Sequence, residues 1–216
     1  MGKYGYIGKD KPTQAVKANS GLFSVNEHKD LLDQDKLISL GQLELIQTQV
    51  YSSGVASVDF TDIKEDTYNM HFMTMNNMQS ADDNVEVTQI QFYENLNGTS
   101  TLFTSSNYEF ARENMSSSSY GESYTTSADD FQVCAGSGNA TNEKQSAYIY
   151  FYNLGDDRKY SGLSWMAGMW SSDPYYFTTF GAGQIARLNI VDGIRVKTSS
   201  GNFASFEMSL YGIRYS

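Results

Sequence analysis

Cysteine is almost missing from this sequence: Cys134 stands alone among 216 residues. A single cysteine excludes an intramolecular disulfide, so the fold must be held by its core. Cys134 sits in Phe131-Gln132-Val133-Cys134-Ala135, which reads as a strand end with the thiol serving as a small hydrophobe. Proline is equally scarce. Pro12 and Pro174 are the only two, so there is no proline-rich linker. Histidine occurs twice, and neither His28 nor His71 has a Cys or His neighbour at metal-ligand spacing. No metal and no cofactor is expected. Cations are outnumbered, with 15 Lys and Arg against 25 Asp and Glu, a net charge of −10. Such a chain repels phosphate backbones and anionic bilayers, so neither nucleic acid nor membrane is an expected partner.

Long apolar runs are missing too. No stretch approaches the roughly 20 residues that span a bilayer. The opening Met1-Gly2-Lys3-Tyr4-Gly5-Tyr6-Ile7-Gly8 lacks the apolar run of a signal peptide, and Tyr6 stands where myristoylation needs Ser or Thr. Catalytic signatures are also wanting: there is no Gly-x-Ser-x-Gly elbow, Walker loop or dinucleotide fingerprint. Gly136-Ser137-Gly138 reads as a turn. Three acidic pairs, Asp82-Asp83, Asp129-Asp130 and Asp156-Asp157, read as turn formers. Adjacent aspartates point in different directions, which argues against a glycosidase carboxylate pair. The expectation is a protein with no catalytic residues, not an enzyme. The sequons at Asn97, Asn114 and Asn139 have meaning only in a secreted eukaryotic chain.

What the chain has is aromatic residues and period-two patterning. Sixteen Tyr and twelve Phe suit pleated, half-buried surfaces. From Leu43 onward, apolar and polar residues alternate as in strands. Leu43 to Val50 alternates except at Leu45-Ile46, where a bulge is expected. Further strands are expected over Val55–Phe60, Tyr68–Met75, Val85–Glu94, Tyr108–Arg112 and from Phe131. The strongest is Ala147–Leu154, with Ala147, Ile149 and Phe151 on one face and Tyr148, Tyr150 and Tyr152 on the other. Tyr160–Trp170, Tyr175–Phe180, Ala186–Val191, Ile194–Val196 and Phe206–Ile213 complete about eleven strands. The stretch Asn114–Ala128, rich in Ser, Thr and Tyr, reads as a long loop. His71 alternates with Met70 and Phe72 and belongs on the opposite strand face; Met70, Met73, Met75 and Met78 read as core filler. The spacing predicts an all-β fold, an antiparallel β-sandwich of jelly-roll type over residues 41–216.

Residues 1–40 differ. Lys3, Lys9, Lys11 and Lys17 face one acid, Asp10, in a polar segment that reads as an extended arm. Ser24 and Glu27 have capping-box spacing, which predicts one short helix over Asn26–Lys36 with Leu31 and Leu32 inward. Its apolar face is thin, so it needs something to dock on. Tyr4, Tyr6, Ile7, Pro12, Val16, Phe23, Leu31 and Leu32 are the residues expected to anchor the arm on a neighbouring subunit. A second set, Tyr148, Tyr150, Tyr152, Trp165, Trp170, Tyr175 and Tyr176, is the candidate ligand or subunit surface. Three uses of those rings stay open: stacking on the sugar rings of a glycan, a contact between subunits, or a packed core layer.

Four segments carry a resemblance. They are Gly5-Tyr6-Ile7-Gly8 with Pro12, Leu40-Gly41-Gln42-Leu43-Glu44-Leu45, Val55 to Asp62 before Tyr68, and Gly201-Asn202-Phe203 followed by Leu210-Tyr211-Gly212-Ile213. In order and spacing the chain resembles virion structural proteins of marine tailed phages, especially cyanophages. The resemblance implies a non-enzymatic virion component: a capsid decoration, fibre or tail-appendage subunit. It implies other virion proteins of capsid or tail as partners and a homo-oligomer, a trimer by analogy. A tail-fibre or adhesin module that grips a host-surface glycan is the alternative.

Overall fold

The computed structural model describes residues 43–213, apart from 53, 87, 135 and 172–174, together with Asn26, Lys29 and Asp30. The chain divides into two units, Met1–Gln42 and Leu43–Ser216. In the first unit Asn26, Lys29 and Asp30 are helical and exposed. The arm residues Tyr4, Tyr6, Ile7, Pro12, Val16, Phe23, Leu31 and Leu32 lie outside the described residues.

The second unit is all-β. Its described strands are β1 (Leu43–Tyr51), β2 (Ser57–Thr61), β3 (Met70–Ser80), β4 (Val85–Glu86), β5 (Gln89–Leu96), β6 (Thr99–Leu102), β7 (Tyr108–Ser116), β8 (Tyr120–Ala128), β9 (Phe131–Gln132), β10 (Gly136–Ser137), β11 (Gln145–Tyr152), β12 (Gly162–Trp170), β13 (Tyr176–Ile185), β14 (Val191–Lys197) and β15 (Phe203–Ile213). Eight form one antiparallel sheet in the order β1-β15-β3-β11-β12-β13-β7-β8. A second sheet runs β2-β14-β5-β6, with β9 also on β5, and β4 pairs with β10. The expected bulge at Leu45-Ile46 is present: pairing with β15 shifts register between Leu45 and Gln47.

The two sheets share one core. Met73, Met75, Ile149, Phe151, Leu163, Met208 and Leu210 from the large sheet meet Phe60, Ile90, Phe92, Ile194 and Val196 from the small one. Phe92 packs 6.1 Å from Phe151 and 5.5 Å from Phe131, centroid to centroid. Tyr108 is fully buried between them, and its hydroxyl accepts from the Phe92 amide at 2.9 Å and donates to the Phe103 carbonyl at 2.8 Å. One phenol thus satisfies two buried backbone groups that no ladder reaches. His71 lies on the strand face opposite Met70 and Phe72, as alternation predicts, and that face is the core; its Nε2–H donates to the Ile63 carbonyl. Met75 and Met78 are also buried, whereas Met70, expected in the same core set, is only half-buried; Cys134 is buried and forms no disulfide.

Three sequence expectations are corrected. Asn114–Ala128 is not a long loop: β7 and β8 pair from Met115↔Tyr120 to Tyr108↔Ala128. The Ser116 hydroxyl accepts from the amides of Ser118 and Ser119 and so closes the turn. Ser123, Thr125, Thr126 and Ser127, which read as loop formers, are half-exposed or exposed residues of an edge strand. Ala186–Val191 is not a strand before Val191. Its backbone bonds go singly to separate places, with the Ala186 amide on the Asn107 carbonyl and the Ile190 carbonyl accepting from the Asn95 amide. The strand count is fifteen among the described residues, not eleven: β8 read as a loop, β6 is too short to show a period, Gly136-Ser137 is not a turn but the short strand β10 paired with β4, and the expected Val85–Glu94 strand is divided into β4 and β5.

Candidate binding face

Alternation in the eight-stranded sheet sorts side chains into a buried set and an outward set. On β11, Ala147, Ile149 and Phe151 are buried, so Tyr148, Tyr150 and Tyr152 point out. On β12, Leu163, Trp165, Ala167 and Met169 are buried, leaving Ser164, Met166 and Trp170 outward. Register then aligns outward residues across the sheet. One row runs Leu45, Tyr211, Phe72, Tyr150, Ser164, Ala182, Ala111, Tyr124, one residue from each strand. The next runs Thr48, Ser209, Thr74, Tyr148, Met166, Phe180, Glu113, Glu122.

This face is aromatic and largely exposed. Phe72 lies 4.8 Å from Tyr150 and 6.3 Å from both Tyr148 and Tyr211, centroid to centroid. Tyr124 is 79% exposed, Tyr120 63%, Tyr176 55% and Phe180 38%. Scattered surface aromatics are ordinary, but contiguous ones on one sheet face mark a contact surface. Hydroxyls sit among the rings: the Tyr152 hydroxyl bonds the Ser164 hydroxyl at 2.6 Å, and Thr48 bonds Ser209 at 3.0 Å.

The charges on the face have one sign. Glu109, Glu113, Glu122 and Glu207 occupy outward positions, whereas no Lys or Arg does so among the described residues. Arg112 on β7 turns inward and donates to the carbonyls of Gln132 and Cys134. Glu113 and Glu122 stand directly opposite each other across β7 and β8. Like charges so placed are locally unfavourable. Their field, Glu113 foremost, raises the pKa of the Tyr120 phenol beside them.

Three small residues, Ser164, Ala182 and Ala111, stand between Tyr150 and Tyr124 in the first row. Two depressions of about 220 and 420 Å³ flank Tyr124, one against Phe180, Glu113 and Glu122, the other against Glu109, Ala182 and Gln184.

The sequence-picked aromatics fall into two groups. Tyr148, Tyr150, Tyr152, Trp170 and Tyr176 are on the outward face, and Tyr175, 39% exposed, precedes β13. Trp165 is corrected to core: it is 4% exposed and packs on Phe110 across Gly181. Trp165 and Trp170 are five apart, and a regular strand sends such residues to opposite faces. Phe72, Tyr211, Tyr124, Phe180, Glu113 and Glu122 were missed, because only strand order brings them together.

The opposite, five-stranded sheet carries structural ion pairs. Arg195 grips Asp59 through two bonds of 2.7 and 2.9 Å and lies over the Tyr93 ring. The Arg195 hydrogen bond holds the Asp59 carboxyl below its ordinary pKa. Lys197 pairs with buried Asp130, and Arg187 with buried Glu94. Among the acidic pairs, Asp156 binds Lys159 and Arg158, which lowers its pKa to about 2. No cluster of three or more metal-ligating side chains occurs among the described residues, and no described helix is long and apolar enough to cross a membrane. No family model, curated protein or solved structure matches the chain.

Proposed function

We propose that the chain is a non-enzymatic structural subunit of a phage virion, a capsid-decorating or appendage protein joined to its neighbours through its N-terminal segment. The outward aromatic face of the eight-stranded sheet is the observation that carries the binding part of this reading. A surface of that kind serves contact rather than chemistry. The phage part rests on the four sequence segments described above. In this reading the sheets form a jelly-roll-type sandwich, the subunit assembles as a homo-oligomer of trimer type, and capsid or tail proteins are its partners. Deletion of residues 1–40 is the test. The expected product is a folded β protein, by circular dichroism, that no longer joins particles. Normal incorporation of the truncated protein into particles overturns the docking role.

A second reading has its own support. The rings of the outward face alternate with hydroxyls and carboxylates, a surface suited to sugar. In that reading the chain is a receptor-binding fibre or adhesin module for a host glycan.

A further inference from the structure

The β7–β8 end of the outward face carries charge of one sign. Glu109 and Glu113 on β7 and Glu122 on β8 point outward there, with no outward cation among the described residues to meet them. Both depressions beside Tyr124 are walled by these carboxylates, the smaller by Glu113 and Glu122, the larger by Glu109. Arg112 also borders the smaller one, but its guanidinium is turned to the carbonyls of Gln132 and Cys134. Elsewhere in the second unit, Lys64, Arg158, Lys159, Arg187, Arg195 and Lys197 each hold a carboxylate already. Such a surface calls for a cationic partner. It repels nucleic acid and acidic glycans, and a neutral sugar leaves its charge uncompensated.

The sequence of this chain contains a segment of that chemistry. Residues 3–17 hold Lys3, Lys9, Lys11 and Lys17 against one acid, Asp10, with Tyr4, Tyr6 and Ile7 among them. All four lysines are odd-numbered, so an extended chain turns them to one side and Asp10 to the other. Two lysines two positions apart, Lys9 and Lys11, suit two acidic depressions that share Tyr124 as a wall. The exposed rings of Tyr124 and Phe180 add faces that attract an ammonium group.

We propose that the acidic β7–β8 end of the outward face binds the basic segment 3–17 of a neighbouring copy of this chain. This rests on the reading that the N-terminal segment joins neighbours, and it names the surface that receives it. Isologous packing of the acidic end on itself sets carboxylate against carboxylate, which costs free energy. A head-to-tail contact sets lysine against carboxylate instead. Residues 1–42 lead into β1, and β1 and β8 are the opposite edges of the eight-stranded sheet, about 34 Å apart. A donor segment entering at one edge and an acceptor at the other is a heterologous pair, the kind that links copies into a ring.

The full chain is tested by sedimentation velocity. An oligomer at about 0.05 M salt that dissociates at about 0.5 M is expected. Glu113→Gln with Glu122→Gln, and separately Lys9→Glu with Lys11→Glu, are each expected to weaken assembly at least about tenfold. Glu109→Gln, at the other depression, is expected to weaken it about threefold, and Val50→Ser at the far edge leaves it unchanged. Circular dichroism and melting temperature confirm that each variant is folded. The glutamine pair removes a like-charge contact and should not lower the melting temperature. The two double variants are then mixed at a concentration where each alone is monomeric. A dimer is expected in the mixture, because one copy keeps its segment and the other its acidic face. A monomeric parent overturns the proposal, and so does assembly that survives either double variant or a mixture that stays monomeric. A monomeric parent that binds polylysine through Glu113 and Glu122 also overturns it and points to a foreign basic partner. Incorporation into particles separates the two failures. If Lys9→Glu with Lys11→Glu leaves assembly intact while loss of residues 1–40 abolishes incorporation, the docking reading stands and the receiving surface is wrong. If assembly is intact and the truncated protein also joins particles, both are wrong.

Discussion

Tyr108 shows how much one side chain settles in this core. Its hydroxyl ties the Phe92 amide and the Phe103 carbonyl to the inward face of β7. Burial, above all, raises the phenol pKa, so it stays protonated and able to donate. Tyr108→Phe keeps the ring but strands a buried amide, and we expect a loss of about 1–3 kcal/mol in urea denaturation. A loss near zero shows that water replaces the hydroxyl. His71 makes a pH prediction. Burial pushes its imidazole below the ordinary value, against the opposing bond to Ile63. The unfolded chain therefore takes up the proton first as pH falls past about 6.5. Stability from this residue is whole above that pH and declines below it, until the folded imidazole also titrates. The denaturation midpoint should fall between about pH 7.5 and 5.5. His71→Gln should flatten that fall; an unchanged slope assigns the effect to other groups.

Individual strands read well where one face is buried and poorly where neither is. β11 was legible because Ala147, Ile149 and Phe151 alternate with three tyrosines, and so was the β1 bulge, because two adjacent apolar residues break the period. The β7–β8 hairpin was not. β8 sits at the sheet edge, and its burial alternates only between exposed and half-exposed. Its Ser and Thr residues carry the composition of a turn while the ladder to β7 supplies the structure. The turn after β5 follows local rules instead. Asn97 and Gly98 both have positive φ, at 55° and 85°, as a two-residue hairpin demands. Pairing of β12 with β13 depends on glycine at 181. A Cβ there falls 2.5 Å from the Ala111 carbonyl and 2.6 Å from the Trp165 ring. Gly181→Ala should cost about 1–3 kcal/mol and alter the near-ultraviolet signal of Trp165. Gly121→Ala, which meets nothing within 4 Å, is the control and should stay within about 0.5 kcal/mol of the parent.

At the scale of the whole molecule, the core formed by the described residues of the second unit draws on both of its sheets. That is why loss of residues 1–40 is expected to spare the melting temperature while it removes particle docking. A coincident loss of both shows that the first unit stabilises the sandwich. The sequence by itself determined the strand class, most strand positions and which residues share a strand face, because a period of two is a local property of the chain. It also determined the acidic balance and the lack of disulfides. Only the tertiary structure decided which strands are neighbours. β3 lies between β15 and β11, and β13 between β12 and β7, pairings of residues up to about 140 positions apart. Strand order is set by burying two apolar faces together, a requirement that no single segment carries. The candidate site belongs to that second kind of information. Tyr148 and Tyr150 announced an aromatic strip, but the full outward face adds Tyr124, Phe180 and the facing glutamates, which come from three other strands and meet only when the strands take that order.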